Sequence, residues 1–157
     1  MATTYYRRRP VAEPDNETTW GIQSAIGIKS PAKIFATVFG VVCVLLGIVG
    51  FFITGFEKFT EQTDAYLLGL FHLTPMYNIA LIGIGALWLI AGLTLTNTAA
   101  EGMNFAMGGF FILAALLAYL GALPILGIPA GFGPDVVLHI VLGVASLLFS
   151  GLIPSRR

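Results

Sequence analysis

The chain has 157 residues, of which 57% are hydrophobic and only 10% charged. An ordinary soluble domain needs about 25% charged residues to keep its surface wetted, so that class is excluded. Eight acids and eight bases cancel to a net charge of zero, which leaves no basic field to hold nucleic acid. The single cysteine, Cys43, rules out an intrachain disulfide framework, a CxxC redox pair and any multi-cysteine zinc site.

Residues 1–31 read as a polar, cytoplasmic N-terminal arm carrying Arg7, Arg8, Arg9, Glu13, Asp15 and Glu17. Without an apolar core this arm is not a cleavable signal peptide. At its end Trp20, Ile22, Ser24, Ile26 and Ile28 alternate with Gly21, Gln23, Ala25 and Gly27 at a period of two. Two glycines disfavour a helix there. Two readings stand: a disordered leader brushing the membrane surface, or an extended arm that lays Trp20, Ile22, Ile26 and Ile28 along a partner subunit.

From residue 32 to 157 the gaps between charges are the main signal. Residues 34–56, 65–100, 102–134 and 136–155 carry no Asp, Glu, Lys or Arg, runs of 23, 36, 33 and 20. A helix needs about 20 apolar residues, rising about 1.5 Å each, to cross the hydrocarbon core. The two longest gaps are too short for two helices and a turn. The expected architecture is therefore an all-α integral membrane bundle of four transmembrane helices, spanning about 34–54, 76–96, 102–123 and 135–153. Arg7 to Arg9, Lys29 and Lys33 precede the first span and Arg156 and Arg157 follow the last, whereas the opposite loops hold only Lys58. Seven bases against one predicts both termini in the cytoplasm, which an even number of spans satisfies. The segment 97–101 is then expected to be a short cytoplasmic turn.

The outer loop 55–74 interleaves Phe56, Phe59, Tyr66, Leu67, Leu70 and Phe71 with acids, a composition that suits the membrane interface. Thr74 and Pro75 read as N-cap and first residue of the second span, and Gly133, Pro134 and Asp135 open the fourth. The other outer loop, 124–134, is apolar and broken by proline and glycine, so no helix is expected in it. The second and fourth spans overlay at an offset of 59, Pro75 on Pro134, Ala86 on Ala145 and Gly92 on Gly151. A parallel repeat of two hairpins explains this, as does chance similarity between Leu- and Gly-rich helices.

Lipid gives helices no hydrophobic reason to associate, so small residues must supply close packing. The first span offers Ala36, Gly40, Cys43, Gly47, Gly50 and Thr54 at spacings of four and three. The second offers Asn78, Ile82, Gly85, Leu89 and Gly92, and the fourth His139, Gly143, Ser146 and Ser150. Asn78 and His139 are therefore expected to point into the bundle. Cys43 reads as a packing residue, and Trp88, Tyr66, Tyr77 and Tyr119 as packing or interfacial residues.

Ionisable groups near the membrane are functional candidates because hydrocarbon makes them costly. Here they are His72, Asp135, His139 and Glu101, and with Asn78 the first three define a candidate outward-facing polar pocket. Asp135 also suits the first turn of a helix, where its charge meets the positive end of the dipole. Asp135 and His139, four apart, could touch and bind a proton. A bis-His haem needs two histidines at matching depth, and a zinc site of His72, Asp135 and His139 has the atoms without a recognised spacing. No cofactor or metal is expected, and no catalytic motif is legible, so an enzyme is not expected.

The run Leu67 to Asn78 (LLGLFHLTPMYN), the Gly47 to Phe52 end of the first span and Asp135 to Gly143 (DVVLHIVLG) resemble the bacterial four-helix membrane family called domain of unknown function 4383. The second helix of that family looks like Pro-x-His-Asn-x-x-His. Pro75 and Asn78 match it, while Tyr77 and Leu81 stand where the histidines would be. The fourth-helix Asp-x-x-x-His is whole in Asp135 and His139. The resemblance implies a multi-pass protein of the bacterial plasma membrane and no activity. The expected role is a non-enzymatic accessory or scaffold subunit among other integral membrane subunits in the lipid bilayer, an energy-transducing complex being one candidate. The alternative is a small proton-coupled transporter or channel built around the polar pocket.

Overall fold

A computed structural model describes residues 30–61 and 64–151, and the partner-arm residues Trp20, Ile22, Ile26 and Ile28 lie outside them. Four helices carry the described chain: α1 (Pro31–Thr54), α2 (Pro75–Leu93), α3 (Asn97–Tyr119) and α4 (Pro134–Leu148). The first three are long and apolar enough to cross a membrane, and α4 is a shorter apolar helix of 15 residues. Between α1 and α2 a small antiparallel ribbon pairs β1 (Tyr66–Leu67) with β2 (Phe71–His72), in the register Tyr66 to His72 and Leu67 to Phe71.

Local chemistry sets the helix boundaries. Ser30, Thr74 and Thr96 are the N-caps of α1, α2 and α3, each hydroxyl accepting from the backbone N–H three residues on. Pro31, Pro75 and Pro134 follow the caps of α1, α2 and α4, where a missing N–H costs nothing. The cap at Thr96 moves the start of the third helix. Residues 97–101, expected as a turn, form the first turn of α3, and the α2–α3 connection shrinks to Thr94, Leu95 and Thr96. At the other end of α3, Gly121 turns left-handed (φ 72°) and the Ala122 N–H donates back to Leu117 O at 2.8 Å, ending the helix before the expected residue 123. The fourth helix is likewise shorter than the expected 135–153, because Gly151 turns left-handed (φ 78°) and Ser150 closes a tight turn onto Leu147 O. The loop 124–134 is not wholly irregular: Pro124–Leu126 makes one 3-10 turn.

The helices pack as two pairs, α1 along α2 and α3 along α4, with α3 making slighter contact with α1 and α2. In the first pair the backbones touch. A Cβ placed on Gly40 would lie 2.8 Å from Leu89 N and 2.9 Å from Gly85 O, and one on Gly85 would lie 2.8 Å from Gly40 O. Gly47 meets the Asn78 carbonyl and Ile82, Gly50 meets the Asn78 side chain, and Gly92 meets Thr37. The second pair does the same with one glycine each, Gly108 facing Gly143 O and Gly143 facing Gly108 O at 3.1 and 3.2 Å from the added Cβ. Ala36 and Cys43 are buried on the same α1 face, and Ser146 is buried on α4 with its hydroxyl turned to Leu142 O.

Two apolar cores occupy this frame. One lies in the helices around Phe35, Trp88, Met107 and Phe111, where Trp88 is fully buried rather than interfacial. The other lies at the end of the bundle that carries the long loops, around Leu73, Tyr77, Ala118, Ile128 and Val136. Thr74 binds these loops together, its hydroxyl donating to Leu126 O at 3.3 Å.

These contacts separate two glycines of equal helix propensity. Gly40→Ala is expected to destabilise the bundle by about 1–3 kcal/mol through overpacking. Gly83→Ala, where a Cβ meets open space, should be neutral or gain about 0.5–1 kcal/mol. Equilibrium unfolding of both variants in mixed micelles, followed by circular dichroism, checks the difference.

Candidate functional site

The polar side chains within the bundle fall into two groups, one near each end. At the loop end β2 brings His72 to the first turn of α4. Its Nδ1 lies 3.7 Å from Asp135 Oδ2, beyond hydrogen-bond range but close enough for an ion pair when the imidazole is protonated. The Asp135 side chain is 3% exposed and that of His72 27%. Tyr66, opposite His72 in the ribbon, packs its ring against the imidazole with centroids 4.6 Å apart and planes tilted by 54°. Asp135 Oδ1 and His72 Nδ1 have no hydrogen-bond partner among the described residues. Gly133 caps α4 without a side chain, so the Asp135 carboxylate faces His72 rather than serving as the cap.

His139 is four residues further along α4 and 6% exposed. Its Nδ1 lies 2.6 Å from the backbone oxygen of Asp135. A carbonyl only accepts, so Nδ1 carries the proton and donates. The sequence spacing allowed a carboxylate–imidazole contact, but the helical turn gives His139 the Asp135 main chain and leaves the carboxylate to His72. Asn78 belongs to a different neighbourhood. It is fully buried against α1, its Nδ2 donating to Thr54 Oγ1 at 2.9 Å. The four residues of the expected pocket therefore divide into His72 with Asp135, His139 behind them, and Asn78 at the α1–α2 seam.

Asn104 forms the second group and is absent from the sequence reading. Fully buried on α3, it donates through Nδ2 to Ala32 O at 3.1 Å and to Phe149 O at 3.0 Å, joining α1, α3 and the end of α4. An asparagine inside an apolar run was the available signal, of the same kind that singled out Asn78. Between the groups runs a ladder of rings: Phe149 on Phe35 at 4.8 Å, Phe35 to Trp88 at 5.9 Å, Trp88 on Phe111 at 5.5 Å, and Phe111 to His139 at 5.8 Å.

This arrangement can hold a proton or a hydrogen-bonding group at the loop end. Among the described residues no three His, Cys, Asp or Glu side chains converge on a metal position. His72 stands in a strand rather than facing His139 across a helix pair, which removes the geometry a bis-His haem needs. A cavity of about 260 Å³ lies beside His139, walled by residues of α1, α2, α3 and α4.

A helical chain with three apolar helices of spanning length is the class that fold and site define. Residues 33–152 match the family described as Domain of unknown function (DUF4383), and the chain belongs to that family. No curated protein and no solved structure matches it.

Asn104→Ala is expected to cost about 1–2 kcal/mol, the range of hydrogen bonds between helices in lipid, because two carbonyls lose their donor at once. Unfolding in mixed micelles measures it. A cost no larger than that of Asn97→Ala, at the first position of α3, would deny Asn104 a role in joining the helices.

Proposed function

We propose that the protein is a four-span protein of the bacterial plasma membrane with both termini in the cytoplasm, acting as a non-enzymatic accessory or scaffold subunit of a larger membrane complex. The seven bases outside the spans on one side, against Lys58 on the other, support the orientation. In this orientation the loop end faces outward.

Leu68 carries the functional reading. At the tip of the ribbon it adopts a left-handed conformation (φ 55°) next to Gly69 (φ 71°), with the Leu70 N–H donating to Leu67 O at 3.1 Å. Such a turn favours Asn or Gly, and a leucine there is strained. Leu68 is also 82% exposed, so nothing within the described chain repays that strain. Phe56 and Phe132 stand 70% and 74% exposed on the other loops of the same end. Exposed apolar side chains on three loops of one end suit contact with a neighbouring membrane subunit. The transporter reading has one observation in its favour, the unpartnered Asp135 Oδ1 beside His72. Against it, the ring ladder and its apolar neighbours lie between the two polar groups, and among the described residues no continuous chain of polar side chains joins them.

Extraction in mild detergent should bring down stoichiometric membrane partners. Leu68→Asn should leave the isolated protein at least as stable as wild type while weakening that association, as should removal of residues 1–31. A lone monomer or homodimer after gentle extraction would overturn the subunit reading. Ion or solute flux into proteoliposomes that His139→Ala abolishes would favour transport instead.

A further inference from the structure

We propose that the cavity between the two helix pairs is a binding site for a lipid-soluble phenol or hydroquinone, whose hydroxyl donates to His139 Nε2. This goes beyond the subunit reading and needs no protein partner.

The cavity is almost wholly apolar and holds about 260 Å³. Val42, Phe110 and Leu113, part of its wall, are also about half exposed on the outer surface of the bundle, so it is entered from the side that lipid covers. A ligand therefore arrives through the bilayer and is apolar over most of its surface. His139 distinguishes the cavity from a simple gap between helices. The ring lines the cavity, is more than nine-tenths buried, and has Nδ1 committed as a donor to Asp135 O. In the neutral ring Nε2 then bears a lone pair, and no hydrogen-bond partner meets it among the described residues. An acceptor left unmatched in an apolar cavity is costly, and a hydroxyl donor on the ligand satisfies it. An ether or a hydrocarbon cannot. Rings of Phe39, Tyr77, Phe110 and Phe111 share the wall with His139, which favours an aromatic head over a plain fatty alcohol.

Trp88 provides the readout. It stacks on Phe111, which lines the cavity, and the only other tryptophan is Trp20. In a Trp20→Phe background, reconstituted in phosphatidylcholine nanodiscs, a bromo-hexylphenol should quench Trp88 saturably. Its methyl ether, with concentrations expressed as mole fraction in the bilayer, should need roughly fivefold more for half-saturation, the effect of one hydrogen bond. His139→Leu should erase that difference while leaving the ether unchanged. Ala80→Phe, which fills the cavity from α2, should abolish saturable quenching by both. Quenching that only rises linearly with mole fraction would overturn the site. Equal half-saturation by phenol and ether would overturn the hydroxyl donor, and a phenol preference surviving His139→Leu would overturn the role of His139. Should His139→Leu fail to fold, the phenol–ether comparison in the Trp20→Phe protein and the Ala80→Phe variant decide the matter.

Discussion

The contact of main chain on main chain between α1 and α2 is the constraint on which the other features rest. Dispersion falls steeply with distance, and in a solvent of hydrocarbon tails it is one of the few forces that can favour helix on helix over helix on lipid. Gly40 and Gly85 bring the two backbones together, and Gly47, Gly50 and Gly92 continue the seam. That proximity in turn lets Asn78 reach Thr54 and holds the ribbon end of the first pair next to the start of α4. A side chain at Gly40 would move α1 outward and loosen each of these in turn. The second pair rests on the facing couple Gly108 and Gly143, and the cavity beside His139 lies where the two pairs meet only slightly.

The two asparagines show how polar groups work in such a frame. Each is fully buried, and each keeps its Oδ1 without a partner among the described residues while its Nδ2 reaches another helix. Asn78 ties α2 to the last residue of α1, and Asn104 ties α3 to the first turn of α1 and the end of α4. The bundle is thus pinned near both ends, with a ladder of rings between them and the cavity at its side. A rigid packing element of this kind suits the proposed subunit role, in which the strained, exposed Leu68 would mark the point of contact.

Much of this was legible before the coordinates because it depends on spacing and charge. The small-residue row of α1 has the helical period and is buried where it meets α2, and Thr74 with Pro75 announces a helix start through cap chemistry. The beginning of α3 was not legible. Asn97 to Glu101 has polar residues and a charge, which hydropathy reads as a turn, whereas Thr96 provides the cap that extends the helix through them. Asp135 and His139 lie on one face by spacing, yet spacing cannot say that a ribbon from another part of the chain will deliver His72 to the carboxylate. Asn104 shows in the sequence only as an asparagine inside an apolar run; its partners are carbonyls, which every residue carries and no sequence pattern marks.

The unequal helix lengths have a mechanical consequence in a bilayer. At about 1.5 Å per residue, the 24 residues of α1 reach about 36 Å and the 15 residues of α4 about 22 Å. The α1 length thus matches or exceeds the hydrocarbon thickness, while that of α4 falls short of it. In the proposed four-span arrangement lipids next to α4 would compress, at a cost of fractions of a kcal/mol for each ångström of mismatch. That cost falls wherever the membrane is already thin or where another protein covers the short flank, so elastic energy in the lipid by itself biases where this molecule gathers and which of its sides is covered.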